Sequence, residues 1–134
     1  MRTIELRLDT SGRLVVDVTD QVRAFASETD ADGLVHVFVA HATAGVALIE
    51  TGSGSEEDLA DALLRLFPRD DRYAHRHGSV GHGGDHLLPA FVSPSLTVPV
   101  VGGRPALGIW QSVVVVDPNH EINERTVRLS FVPA

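Results

Sequence analysis

The chain has 134 residues, 43% of them hydrophobic, which is the length of one domain with enough apolar material for a single packed core. Eleven Lys and Arg against 18 Asp and Glu leave a net charge of −7, which argues against nucleic acid and anionic membrane surfaces as partners. The chain has no cysteine, so there is no disulfide framework and no thiolate, and a transition-metal site would use His with Asp, Glu or water. Nothing approaches the roughly 20 apolar residues that span a bilayer, and the first residues form no apolar leader, so the expectation is a cytoplasmic protein that does not enter a membrane.

The early elements read as strands. Thr3 to Leu8 alternates polar and apolar positions, Ser11-Gly12 makes a turn, and Leu14 to Val18 is β-branched, which together predict a hairpin. Thr19 or Asp20 can cap a short helix whose Val22, Phe25 and Ala26 share a face, stopped by Asp30 to Gly33. Leu34 to Ala40 reads as a strand covered on both faces, and Val46 to Glu50 as the next strand. Ser55 and Asp58 resemble a capping box for a second helix with Leu59, Leu63, Leu66 and Phe67 as its buried stripe, ended by Pro68. From Arg69 to Asp85 charge, glycine and histidine dominate and no periodicity appears, which reads as a long binding loop, followed by a helical turn over 86–91. Ser95 to Val100, Ala106 to Val116 and Thr126 to Val132 supply three more strands. The balance is α+β.

Four of the seven histidines, His75, His77, His82 and His86, fall in that glycine-rich stretch, and His41 ends an apolar strand. Imidazole is the commonest protein metal ligand and carries protons near neutral pH, so this is where chemistry is expected. His36, inside a strand, reads as a hydrogen-bonded strand residue, and His120, in Pro-Asn-His-Glu, as an exposed turn. His77 reads as a solvated loop residue. Trp110 suits the core or a subunit contact, and Gln111 beside it is the better polar site candidate. No Lys-Ser/Thr phosphate loop and no nucleophile elbow is present.

The segment from His41 to Glu50, His-Ala-Thr-Ala-Gly-Val-Ala-Leu-Ile-Glu, resembles the signature of the YjbQ-like family, UPF0047, also labelled secondary thiamine-phosphate synthase. Tyr73-Ala-His75, His86, Pro94 to Val100, Leu107 to Gln111 and Arg125 to Leu129 follow in that family's order, so the resemblance covers nearly the whole chain. It implies a single domain over residues 1–134, a two-layer α+β sandwich of mainly antiparallel or mixed sheet with a few helices, assembled as a homotrimer. It also implies zinc or another divalent metal on His41, His75 and His86, with Glu50 as general base. The residues themselves add Gln111 and Arg125 as contacts to a small-molecule substrate, Asp85 as a carboxylate one position from the family's, and His82 as a polar substrate contact or an extra ligand. Three histidines leave one coordination position open, where zinc lowers the pKa of a bound water to about 7.

The label implies joining a pyrimidine diphosphate to a thiazole phosphate with release of pyrophosphate. Arg104, Arg125 and Arg128 are the cations available to anchor such phosphorylated substrates. Three positions depart from the family pattern: Ile49 stands where it has Asn, and His82 and Gly84 stand where it has Asn and Asp. A metal-dependent hydrolase or lyase fits three histidines and a carboxylate equally well. The departures sustain a further alternative, a non-catalytic protein that binds a metal or small ligand.

Overall fold

The computed structural model describes residues 1–134. In chain order the elements are β1 (Arg2–Asp9), β2 (Val15–Asp17), α1 (Thr19–Ser27), β3 (Gly33–Val39), β4 (Gly45–Ile49), α2 (Ser55–Leu66), α3 (His82–Asp85), a 3-10 turn (Leu88–Ala90), β5 (Ser95–Val101), β6 (Arg104–Pro105), β7 (Ser112–Val116) and β8 (Glu124–Pro133). They form two sheets, ordered β1-β8-β3-β5-β6 and β2-β7-β4. Every pairing is antiparallel. The expected α+β sandwich is what the chain builds.

Alternation along the strands sets which face is inside. Val35, Val37 and Val39 of β3, Val98 and Val100 of β5, and Val127, Leu129 and Phe131 of β8 turn inward from the larger sheet. They meet Val16, Val46, Val113 and Val115 from the smaller sheet, with Val22, Phe25 and Ala26 of α1 in the same cluster. Val114 and Val116 point the other way and pack with Leu63 of α2 and with Leu88. β7 is therefore buried on both faces, which explains its unbroken valine run.

Several boundaries differ from the sequence expectation for local reasons. The run from Ala106 to Val116 is not one strand: Leu107 and Gln111 close tight turns on Pro105 and Gly108, and β7 begins only at Ser112. β3 is covered on one face only; His36 and Phe38 are half-buried on the outer face, where His36 Nδ1 lies 3.0 Å from Thr97 Oγ1. Thr19 opens α1 without capping it, because its hydroxyl accepts the Val113 N–H at 2.9 Å. Gly54, in the left-handed region at φ 89°, is the N-cap of α2 in place of the Ser55 box, and Glu56 reaches back to the Gly52 N–H at 3.0 Å. Leu66 is exposed, since α2 packs on the outer face of the smaller sheet through the stripe of Leu59, Leu63 and Phe67 and leaves Leu66 outside it.

No helix is long and apolar enough to cross a membrane. Phe25 is 1% exposed where α1 meets the core of the sandwich. Phe25→Ala is expected to cost about 3–5 kcal/mol, read as a lower urea midpoint with an unchanged slope.

Candidate metal centre

One end of the sandwich gathers the end of β3, the start of β4, the end of β7 and the start of β8, because Gly45 pairs with Val116 and Val39 with Val127. The loop between α2 and α3 folds onto this end and is held by side chains. Arg69 donates to Asp85 Oδ1 at 2.7 Å, to the Gly81 carbonyl at 3.1 Å and to the Pro118 carbonyl at 2.9 Å, and the Tyr73 hydroxyl donates to the Pro68 carbonyl at 2.7 Å. Gly81, at φ 86°, turns the chain into α3 in a conformation that side chains disfavour. A Cβ on Gly83 would fall 2.6 Å from both the His75 carbonyl oxygen and Tyr73 Cβ, so the loop can close only over glycine.

This closure brings His75, His77, His82 and His86 together. One ligand nitrogen from each lies within 4.8 Å of all the others. The ring centroids of His75 are 4.0 Å from His77 and 4.3 Å from His86, and His82 Nε2 is 2.8 Å from His86 Nε2. Two nitrogens on a tetrahedral zinc at 2.0–2.1 Å stand about 3.3 Å apart, so the group needs shifts of roughly an ångström to surround an ion. His82 is buried and His86 half-buried, whereas His75 and His77 are exposed.

Two of the imidazoles, those of His75 and His86, are disposed to be neutral. The pKa of His75 lies below the ordinary 6.5 through desolvation and then the mutual repulsion of His77, His86 and His82. That of His86 is also lowered, by desolvation and then by His82 and His77, with Asp85 and Glu121 opposing. Neutral rings keep the lone pairs that a metal requires.

A second network stands beside the first. His41 lies outside the four-histidine group. Its Nδ1 is 2.8 Å from Thr43 Oγ1, and the Thr43 hydroxyl donates to Asp117 Oδ1 at 2.8 Å. Asp117 is sealed against Arg125, both 1% exposed. The pKa of His41 is lowered by desolvation first, then by the Arg125 charge, with Asp117 opposing and the charge of His86 adding.

The sequence-predicted residues therefore divide. His75 and His86 converge, joined by His77, which was expected to be solvated background, and by His82. Asp85 does not touch a histidine; it accepts from Arg69 and, at 3.3 Å, from Asn119 Nδ2, which lies 3.1 Å from His82 Nδ1. Arg125 is spent on Asp117 and on the carbonyls of Ile122, Glu124 and Asn119, out of reach of a substrate. Glu50 and Gln111 are not brought to the histidines. They sit at the other end of β4 and β7, where Ile49 pairs with Ser112, and the five residues of β4 separate the two ends by roughly 17 Å at about 3.4 Å each. The Gln111 side chain closes its own turn by accepting the Gly108 N–H. Trp110 is 70% exposed and so is not a core residue. Sequence reasoning missed Thr43, Asp117, Asn119 and Glu121; the signal for the last three was the polar segment Asp117-Pro-Asn-His-Glu121, which reads as an ordinary turn.

The sequence profile of the UPF0047 YjbQ-like proteins matches residues 3–134. The chain belongs to the YjbQ-like family. The UPF0047 protein Rv2556c of Mycobacterium tuberculosis is 66% identical over 132 residues, covering 98% of each chain. A UPF0047 protein of Archaeoglobus fulgidus is 33% identical over 116 residues, 85% of this chain and 89% of its own. The crystal structure of the hypothetical protein APE1520 from Aeropyrum pernix superposes with a TM-score of 0.90 at 32% identity, covering all of both chains. The family of this YjbQ-like chain was thus legible from its motifs.

His41 gives a pH prediction. Unfolded, it titrates near 6.5; folded, it holds its proton less well. As pH falls past 6.5 the unfolded state takes up protons first, so the stabilisation is full above that value and declines below it. Urea midpoints of the metal-free protein should fall on the acid side of 6.5, and less steeply for His41→Asn. Parallel curves for the two proteins would show that His41 contributes nothing to the decline.

Proposed function

We propose that this YjbQ-like chain binds one divalent transition-metal ion, zinc foremost, through His75, His77, His82 and His86, and that the centre serves a reaction on a small molecule. The observation that carries this is the convergence of four ligand nitrogens within 4.8 Å. Four imidazole ligands suit zinc and its neighbours, and do not suit calcium or magnesium, which take oxygen ligands. A metal bound here would act as a Lewis acid on a substrate oxygen. His41 is the group nearby whose Nε2 is left for proton handling, since Nδ1 is turned to Thr43.

A non-catalytic metal-binding reading has one observation in its favour. Four imidazoles complete a tetrahedral shell, and Glu50, the expected base, stands at the far end of β4. Thiamine-phosphate formation gains no support at the histidines from the three arginines expected to anchor its substrates. Arg125 is sealed beneath Asp117, Arg128 is paired with Glu5 at 2.7 Å, and Arg104 is exposed but pairs with Val101 at the opposite end of the larger sheet.

Zinc titration of the metal-stripped protein should give one site per chain, and His82→Ala and His86→Ala should each abolish stoichiometric uptake while His41→Ala retains it. Uptake unaltered in both cluster variants would defeat the proposal. Loaded protein given both thiamine precursors tests the family label: thiamine phosphate above a His86→Ala control would restore that reaction as the function.

The proposed assembly is a homotrimer. What supports burial against further copies is the turn before β7, where Ile109 is 88% and Trp110 70% exposed. Light scattering should then read three times the 14.4 kDa chain, and a monomeric mass would exclude it.

A further inference from the structure

His82 is held from behind by two groups of opposite hydrogen-bonding character. Asn119 Nδ2 lies 3.1 Å from His82 Nδ1. Its role as donor is fixed, because Asn119 Oδ1 accepts the Glu121 backbone N–H at 3.1 Å. Glu121 Oε2 lies 3.4 Å from the same His82 Nδ1 and, being a carboxylate oxygen, can only accept.

A neutral imidazole has one proton to place. With that proton on Nε2, His82 Nδ1 accepts from Asn119 and the Nε2–H is spent on His86 Nε2, 2.8 Å away. This tautomer offers no lone pair to a metal at Nε2. With the proton on Nδ1, the Nε2 lone pair faces the cluster and Nδ1–H needs an acceptor. Ligating histidines generally find one in a carboxylate or carbonyl behind the ring. Asn119 presents only N–H there, and Glu121 Oε2, at 3.4 Å, is the carboxylate oxygen within reach, a short approach from a full hydrogen bond.

We propose that Glu121 is the positioning carboxylate of the metal centre: it accepts the His82 Nδ1–H that metal ligation through Nε2 requires, while Asn119 supports the opposite tautomer in the metal-free protein. This rests on the metal-centre reading above. The two oxygens of Glu121 divide the work. Oε1 takes both Ser79 bonds, at 2.9 and 2.7 Å, and Oε2 is left for His82. Glu121→Gln can therefore keep its amide oxygen on Ser79 while turning an NH2 toward His82, which favours the tautomer that cannot ligate.

The test is zinc affinity of wild type, Glu121→Gln and Ser79→Ala, measured against a chromophoric chelator, with thermal melts of the metal-free proteins and 15N shifts of the His82 ring in the zinc form. Wild type should show a protonated Nδ1 on His82. Glu121→Gln should bind zinc about 10–100-fold more weakly with an unchanged metal-free melt, and Ser79→Ala should keep wild-type affinity. Wild-type affinity in Glu121→Gln overturns the inference, as does an unprotonated Nδ1 in the zinc form. So does a loss of affinity matched by Ser79→Ala or by a lower metal-free melt, since Glu121 would then be only a loop anchor. Absence of zinc uptake by the wild type is a different result, and it removes the metal centre along with this role for Glu121.

Discussion

The ion pair between Asp117 and Arg125 is the interaction on which the functional end of the molecule depends. Both side chains are all but fully buried, and taking two charges out of water costs several kcal/mol unless nearly every polar atom is satisfied. Here they are. Arg125 donates to Asp117, to the loop carbonyls of Asn119 and Ile122 and to that of Glu124 at the start of β8, and Asp117 accepts in addition from the Thr43 hydroxyl and the Asn119 N–H. The pair thereby ties the end of β7 to the start of β8 and shapes the intervening loop around a guanidinium. Asn119 and Glu121, which flank His82, owe their positions to that loop.

The glycine- and histidine-rich stretch is ordered from outside itself. Its sequence has no periodicity to build a helix or strand of its own, and glycine raises the entropy cost of fixing it. Arg69 offsets this by joining the loop to α3 through Asp85 and to the end of the sandwich through the Pro118 carbonyl. Glu121 fastens its middle at Ser79. The glycines permit the chain to lie against Tyr73 and the histidine backbone, and the charged residues at its edges decide where it lies.

Strands with clean alternation, such as β1 and β8, were legible because their pattern is set by one buried face. The break before β7 was not, since Leu107, Ile109 and Trp110 look as apolar as a strand while the backbone closes turns. His75 and His86 were found through motif order, and His82 was noticed as an unusual residue, but the place of His77 in the cluster depended on a loop path that no local pattern encodes. Glu50 illustrates the reverse. It lies close to His41 in sequence, yet an extended strand carries it to the other end of the sheet, and only the pairing of β4 with β7 reveals that.

The four histidines are unequal in a way that bears on how they could close on an ion. His82 and His86 are four residues apart across α3, partly shielded, and already nearer to each other than the roughly 3.3 Å that tetrahedral zinc would impose. His75 and His77 are exposed on the loop, where a shift of about an ångström disturbs little packing. The adjustment thus falls mainly on the exposed pair, while the buried ring, whose tautomer decides whether it can ligate, is the one gripped by Asn119 and Glu121. In the proposed centre, rigid support sits behind the ring that must be correctly protonated, and freedom remains with the rings that need only arrive.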